Sequence, residues 1–495
     1  MRDETDDLGP SMSAFANGSS TRARLQPPAA TGRSGGVEGG SAVPRVAIVG
    51  GGPGGLFTAH ELQRIAARPI ATTIFEASDR LGGKVVTRRF ESADVRYEAG
   101  AAEFYEYAHL GHDPLKELVL ELGLPIRPMG GPSVIVDGHV VSNLDDVRDR
   151  LGSAAAASLR AFDRRARDRM TPQEFYRSGD LDVAAGAAAS RRFDDTLSEL
   201  ECPHARRYVE HLIHSDLAAE PSQTNEEFGL QNFLMNDPAY MRLYGIEGGN
   251  ERLVEALAAR IDATVRLGRR VESVERTEGG GLVVRSSADG ECRAEEFDFV
   301  VVALPHASVA KVSFLGEDLR GAIAAHHAHH DHPAHYLRIT MLFDRPFWQD
   351  ALSDSFWMLD RFGGCCLYDE SSRDASTSHG VLGWLLGGDA AKALAHADDA
   401  AILAAALEAL PPVLSQARDR MLEAQVHRWI GAVSALPGGS TPWPRDRRHC
   451  PAPIGHPNLF MVGDYLYDST LNGVLDSAEH VAGWIAAMVT EPPRR

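Results

Sequence analysis

The sequence predicts an α/β protein built on a Rossmann-like parallel sheet, on three observations. An apolar run ends in a cluster of glycines, Val46-Ala47-Ile48-Val49-Gly50-Gly51-Gly52-Pro53-Gly54-Gly55. A second apolar run, Ala71-Thr72-Thr73-Ile74-Phe75, is closed by Glu76. The chain has 495 residues, too many for one compact core and ample for two interleaved domains.

The first run is the element on which the rest depends. Its four apolar residues form a buried strand, and Gly50, Gly52 and Gly55 fall at the G-x-G-x-x-G spacing. Gly50 allows a tight turn, Gly52 brings the backbone close to a pyrophosphate, and Gly55 lets the following helix pack on the strand. The free N–H groups of that helix's first turn face the anion, so Gly50, Gly52, Pro53, Gly54 and Gly55 are candidate dinucleotide contacts. Glu76 stands where a second strand places a carboxylate for the adenosine ribose. An acid there favours a free 2′-hydroxyl over a 2′-phosphate, and so FAD or NAD over NADP.

Composition narrows the partners. A formal net charge of -19 argues against nucleic acid and against an anionic membrane. Five cysteines without a C-x-x-C pair suit a reduced, cytoplasmic protein. No apolar run reaches the length of a transmembrane helix, and no signal-peptide core stands near the N-terminus. Residues 1–44 are rich in Gly, Ser, Ala and Asp and poor in large apolar side chains, which predicts a disordered lead.

Beyond Glu76, the stretch Ala77-Ser78-Asp79-Arg80-Leu81-Gly82-Gly83-Lys84 sets a glycine pair and a basic residue shortly after an acidic strand end. It resembles the E-A-x-x-R-x-G-G-R segment of the flavin amine oxidase superfamily: monoamine and polyamine oxidases, L-amino-acid oxidases, protoporphyrinogen oxidase and phytoene desaturases. The resemblance implies that Glu76, Ala77, Arg80, Gly82, Gly83 and Lys84 lie along the FAD. Lys84 replaces the usual arginine, which keeps the charge and loses the fork. Tyr97-Glu98-Ala99-Gly100-Ala101 is similar to the next family segment, so Gly100 and Ala101 would pass the flavin ring.

From about residue 124 to 244 the pattern turns helical, polar and alanine-rich, which reads as the first part of a substrate domain. His211 and His214 share a helix face there, and a packed or surface role is expected rather than a metal. Gly245 to Leu257 resembles the family's G-G-x-x-x-L-x-x-A-L turn into a helix. Residues 265–274 read as one strand, on which Val271 aligns with the family residue whose backbone meets the adenine. Val300-Val301-Val302-Ala303-Leu304-Pro305 resembles the family's V-V-x-A-x-P. Six histidines follow (His326, His327, His329, His330, His332 and His335), and Asp331 and Pro333 predict an irregular, solvated connection without a metal.

Tyr336 to Phe343 reads as a strand with Tyr336, Arg338 and Thr340 on one face. Counted back from Pro346-Phe347-Trp348, which resembles the family's P-F-W, Arg338 takes the place of the lysine that holds a water against flavin N5. Arginine stays charged and cannot serve as a tunable base, but it could anchor a carboxylate bidentately or polarise the flavin. A strand-end ion pair is the alternative. Val426 to Val433 resembles the R-W-x-x-A of protoporphyrinogen oxidase, and no cysteine occupies the covalent attachment position, which implies non-covalent FAD.

Pro457 to Asp464 is similar to the family's final strand, implying that Gly463 and Asp464 meet the FAD diphosphate and ribityl region. The last helix then starts at Leu471, and its N-terminus, with Gly473 and Val474, faces flavin N1–C2=O in relatives, where reduction places negative charge. Thr470 stands where many amine oxidases carry an aromatic residue, which leaves Trp429, Tyr465 and Tyr467 as candidate pocket walls. Arg338, Trp429 and Tyr465 are the candidate catalytic residues.

The resemblance as a whole implies a discontinuous FAD-binding domain (45–123, 245–315 and 436–495) with an inserted mixed α+β substrate domain (124–244 and 316–435). The implied reaction is oxidation of the C–N bond of an amine or amino acid, with hydride passing to flavin N5 and O2 reoxidising the flavin to give H2O2. The expected partner is a small-molecule substrate, with no nucleic acid and no membrane, and a homodimer is the candidate assembly. FAD-dependent desaturation or isomerisation at C–C bonds, and a non-catalytic flavin-binding partner protein, are the two alternatives.

Overall fold

In the computed structural model the described residues are 43–107, 113–131, 133–176, 191–373, 377–438, 442–451, 457–467 and 469–490. All but the last two residues of the expected disordered lead lie outside them. Five strands pair in parallel in the order Ala263–Arg266, Ala71–Phe75, Arg45–Val49, Phe299–Val302 and Leu459–Met461. The three inner strands are buried beyond their first residue because both of their faces are covered. Alternation sends Val46, Ile48 and Val301 into a core with the helices Pro53–Ile65 and Leu471–Thr490. Ala47, Val49, Val300 and Val302 face the opposite way, into a core shared with a four-stranded sheet in the order Glu291–Phe297, Leu282–Ala288, Arg270–Arg276 and Ser313–Leu315.

A seven-stranded sheet forms the other half of the molecule, in the order Met421–Ser434, Pro333–Phe343, Gly380–Gly387, Cys365–Asp369, Phe356–Leu359, Ser133–Val136 and His139–Val141. Leu337, Ile339, Met341 and Phe343 enter one apolar core with Trp348 and Trp384. Tyr336, Arg338 and Thr340 take the opposite face by the same alternation. A separate core gathers the helices Ser153–Arg169, Pro203–Leu217 and Glu226–Leu234 around Phe162, Val209, Ile213 and Phe228.

The structure corrects three local expectations. Residues 265–274 are not one strand, because Gly268 takes a left-handed turn (φ 63°) that passes the chain from the five-stranded to the four-stranded sheet. The segment after residue 124 opens on three short strands, Ile126–Met129, Ser133–Val136 and His139–Val141, before its helices begin. The histidine-rich segment is not an irregular, solvated connection: the helix Glu317–His329 runs into it, and His326 and His330 are buried. Asp331 and Pro333 end that helix rather than prevent it. Among the described residues no single helix is long and apolar enough to cross a membrane.

Candidate functional site

A cavity of about 570 Å³ opens along the carboxyl ends of the parallel strands, where Val49-Gly50, Phe75-Glu76, Ala303-Leu304 and Val462-Gly463 form its wall. The backbone there needs glycine. Gly50 has φ 111°, and a Cβ on it would stand 2.4 Å from the Ala303 carbonyl oxygen. A Cβ on Gly55 would meet the Gly50 carbonyl oxygen at 2.0 Å. The second glycine pair docks on the first: Gly82 N–H donates to the Gly51 carbonyl (2.8 Å), and a Cβ on Gly83 would stand 3.2 Å from the Gly52 Cα. Gly52 and Gly83 thus give the cavity a floor of bare backbone.

Charged groups are fixed around this floor. The Glu76 carboxylate accepts from Gly51 N–H (2.8 Å), Ser78 N–H (2.8 Å) and Ser78 Oγ (2.7 Å). Lys84 Nζ donates to Asp464 Oδ2 (3.0 Å) and to the Ala432 carbonyl, so the two halves of the chain meet at the cavity wall. Arg80 is held by the carbonyls of Leu81 and Gly83 and by Glu251. At the start of the helix Leu471–Thr490, the buried Asn472 Oδ1 lines the same space and has no hydrogen-bond partner. Bare backbone, helix N-termini, a carboxylate beside the second strand and an orphaned amide together fit an elongated pyrophosphate cofactor.

The structure gathers most of the residues read from the sequence. Gly50, Gly52, Pro53 and Gly54 line the cavity, as do Glu76, Ala77, Arg80, Gly83 and Lys84. So do Gly100, Ala101, Val271, Gly463, Asp464 and Val474, whereas Gly55, Gly82 and Gly473 are not on its wall. At the opposite end stand Trp429, Tyr336, Leu385, Glu103 and Tyr105. Trp429 Nε1 donates to the Ala99 carbonyl (2.7 Å), and its ladder partner across the sheet is Tyr336. Tyr336 Oη in turn donates to the Asp216 carbonyl (3.3 Å).

Two expected catalytic residues lie elsewhere. Arg338 is fully buried off the cavity wall, with its guanidinium bonded to Glu370 and to the Glu98 carbonyl. It stands in the middle of the strand Pro333–Phe343, paired with Glu370, rather than at a strand end. Tyr465 is buried among His306, His326 and His330, with ring centroids 5.4, 6.3 and 5.8 Å away. Tyr467, another expected wall, packs against Arg445 and His449 instead. Sequence reasoning passed over Glu103, Tyr105, Tyr336 and Asp216. Tyr336 had a signal, since it shares a strand face with Arg338; Asp216, on the helix Pro203–Leu217, had none.

Burial governs ionisation at this end. Desolvation raises the Glu103 carboxyl against the opposing pull of Arg338 and Arg373. It lifts Asp216 well above the usual range, with Glu103 adding to the effect. Glu98, behind the wall, is pushed up to about 7 by the same burial.

Residues 53–486 match the family described as flavin-containing amine oxidoreductase. The chain belongs to that family. This oxidoreductase is therefore a flavoenzyme, and its cofactor is FAD, held without a covalent bond. A flavin-dependent L-tryptophan oxidase of Lentzea aerocolonigenes is 25% identical to it over 295 residues. That match spans 55% of this chain and 60% of the tryptophan oxidase. A tryptophan 2-monooxygenase of Pseudomonas savastanoi is 41% identical over 76 residues, 15% of this chain and 13% of its own. Among solved structures, cyclohexylamine oxidase from Brevibacterium oxydans superposes with a TM-score of 0.68 at 18% identity, covering 91% of this amine oxidoreductase and 100% of the oxidase. That likeness is one of fold: a mixed α/β architecture.

Proposed function

We propose that this chain oxidises the C–N bond of an amine or amino acid to an imine, which water then hydrolyses. The observation that carries the reading is continuity: one cavity joins the glycine turns and the Lys84–Asp464 pair to an aromatic and acidic end at Tyr336, Trp429 and Glu103. FAD supplies an acceptor for the two electrons and proton leaving the α-carbon as hydride, and O2 takes them on as H2O2. In this reading the five-stranded sheet is the core of a Rossmann-like, discontinuous FAD domain (45–123, 245–315 and 436–495), and residues 124–244 and 316–435 supply the substrate side.

The protein's own contribution is placement. Gly52 and Gly83 admit the pyrophosphate, Glu76 faces the adenosine ribose, and Lys84 with Asp464 holds the middle of the cofactor. Trp429, anchored on Ala99, and Tyr336 wall the reacting carbon and keep water from it. Arg338 acts from behind as a positioning residue, bracing the Glu98–Ala101 segment. The names of the tryptophan and cyclohexylamine oxidases agree with a substrate bearing an amine. Anaerobic mixing with amines and amino acids tests the reading. Bleaching of the oxidised flavin band by one class, and recovery with H2O2 on admitting air, is expected; a flavin reducible only by dithionite would overturn it.

A further inference from the structure

Three segments that flank the cofactor cavity meet behind its wall at one buried hydroxyl. Ser477, in the second turn of the helix Leu471–Thr490, is fully buried and accepts the Gly463 N–H at 3.2 Å. His449 closes the short helix Arg445–His449 and is also fully buried, with Nε2 3.0 Å from Ser477 Oγ and Nδ1 2.9 Å from the Arg445 carbonyl. Gly463 lies just beyond the strand Leu459–Met461 and lines the cavity, as do Val462 and Asp464 beside it. Neither Ser477 nor His449 is on that wall.

Elementary chemistry places every proton in this chain of bonds. The Gly463 N–H can only donate, and the Arg445 carbonyl can only accept. Burial, with His480 and Arg448 adding to it, holds the His449 imidazole well below its ordinary value, so the ring is neutral and carries one proton. That proton is on Nδ1, facing the Arg445 carbonyl, and Nε2 is left as an acceptor. The Ser477 hydroxyl therefore donates to His449 and takes the Gly463 N–H on a lone pair.

The consequence reaches the cavity. A trans peptide is planar, so a fixed Gly463 N–H also fixes the Val462 carbonyl on its opposite side and the direction in which Asp464 leaves the strand. Asp464 in turn accepts from Lys84 Nζ (3.0 Å) and from the Tyr465 N–H (3.0 Å). The Tyr465 ring closes over the turn, 2.5 Å from where a Cβ on Gly463 would stand. We propose that His449 and Ser477 are positioning residues for the FAD, acting through the Gly463 N–H to hold the Val462–Asp464 turn against the cofactor. This role rests on the cofactor placement proposed above, in which Lys84 and Asp464 hold the middle of the FAD.

FAD release from the holoenzyme on dilution, followed by the rise of flavin fluorescence, tests it. Ser477→Ala leaves the Gly463 N–H without its acceptor and should weaken retention about tenfold, the scale of one unmade buried hydrogen bond. His449→Leu should weaken it in the same direction. His449→Gln, whose amide can donate to the Arg445 carbonyl and accept from Ser477, should restore most of that loss. The double variant His449→Leu/Ser477→Ala should release FAD no faster than Ser477→Ala alone, because both changes act through one N–H. His480→Gln is the packing control: its ring stands 4.6 Å from that of His449 but takes no part in the chain of bonds, so its retention should match the wild type. The proposal is overturned by a Ser477→Ala enzyme that keeps FAD as the wild type does, by losses that multiply in the double variant, by a His449→Gln loss as large as that of His449→Leu, or by an equal loss in His480→Gln. Lys84→Met separates the two readings. If it weakens FAD retention while Ser477→Ala does not, the His449–Ser477 relay falls and the cofactor placement stands; if neither does, both fall.

Discussion

Glu370 ties Arg338 to the backbone of Glu98. Its Oε1 accepts from Arg338 Nη2, its Oε2 accepts the Glu98 N–H at 2.9 Å, and Arg338 Nε donates to the Glu98 carbonyl. The ring closes on the N–H and C=O of one residue, Glu98, and the next residues in the chain, Ala99 to Ala101, carry the Trp429 anchor and part of the cavity wall. Arg338 therefore influences the site without touching it.

Removing that cation should be costly. Arg338→Met leaves the Glu370 carboxylate buried without its partner, which typically costs about 3–5 kcal/mol. Arg338→Lys restores the charge but cannot make both contacts at once, so its stability should fall between the two. Denaturant unfolding followed by circular dichroism checks the order. An Arg338→Met protein as stable as the wild type would show that the ring is not structural.

Gly55→Ala should abolish FAD retention, because the added methyl would stand 2.0 Å from the Gly50 carbonyl oxygen and must open the first turn. Gly483→Ala is the matched control. It lies in the helix Leu471–Thr490 with nothing within 4 Å of the added Cβ, so the change should stabilise by up to about 1 kcal/mol. The flavin-to-protein absorbance ratio after gel filtration distinguishes them; flavin retained by Gly55→Ala would remove the turn from the cofactor site.

Lys84→Met should weaken FAD binding about tenfold or more, since Asp464 loses a cation 3.0 Å away while staying nearly buried. Titration of the apoprotein with FAD, read by quenching of flavin fluorescence, gives the ratio. An unchanged dissociation constant would mean that the pair only joins the two parts of the chain.

What the sequence revealed follows from the range of the physics involved. The cofactor end was legible because each requirement is local: Gly50 needs a positive φ, and Glu76 needs only to end a strand. The substrate end was not, because Glu103, Tyr336 and Asp216 come from three distant segments and meet only through the packing of the seven-stranded sheet against the helix Pro203–Leu217. Arg338 was placed on the correct strand face, but burial depth is invisible to alternation, and depth decided that it meets Glu370 rather than the cavity. The histidines misled for a related reason. Composition and a nearby proline suggest exposure, while the partners that bury them, Trp443 and Tyr465, arrive from more than a hundred residues away.

Those histidines set a pH dependence of stability with a definite sign. Burial disfavours the cation, so His326 is lowered to about 4 and His330 to about 2, each against an ordinary value of 6.5. His326 Nε2 is 2.8 Å from the Arg448 carbonyl, which fixes the proton on that nitrogen of the neutral ring. Between the folded and unfolded values the unfolded chain binds more protons, so stability is fully present above about 6.5 and is lost as pH falls toward 4. A shift of the size at His326 corresponds to on the order of 3 kcal/mol. Glu98, raised to about 7 by burial, has the opposite slope, losing stability as pH rises from 4.5 through 7. Denaturation of the wild type at a series of pH values should therefore show loss on acidification through this window. The double variant His326→Gln/His330→Gln should flatten the acid limb and leave the Glu98 limb in place. An acid limb as steep in the double variant as in the wild type would assign the loss to other groups, with the buried His449 the next to replace.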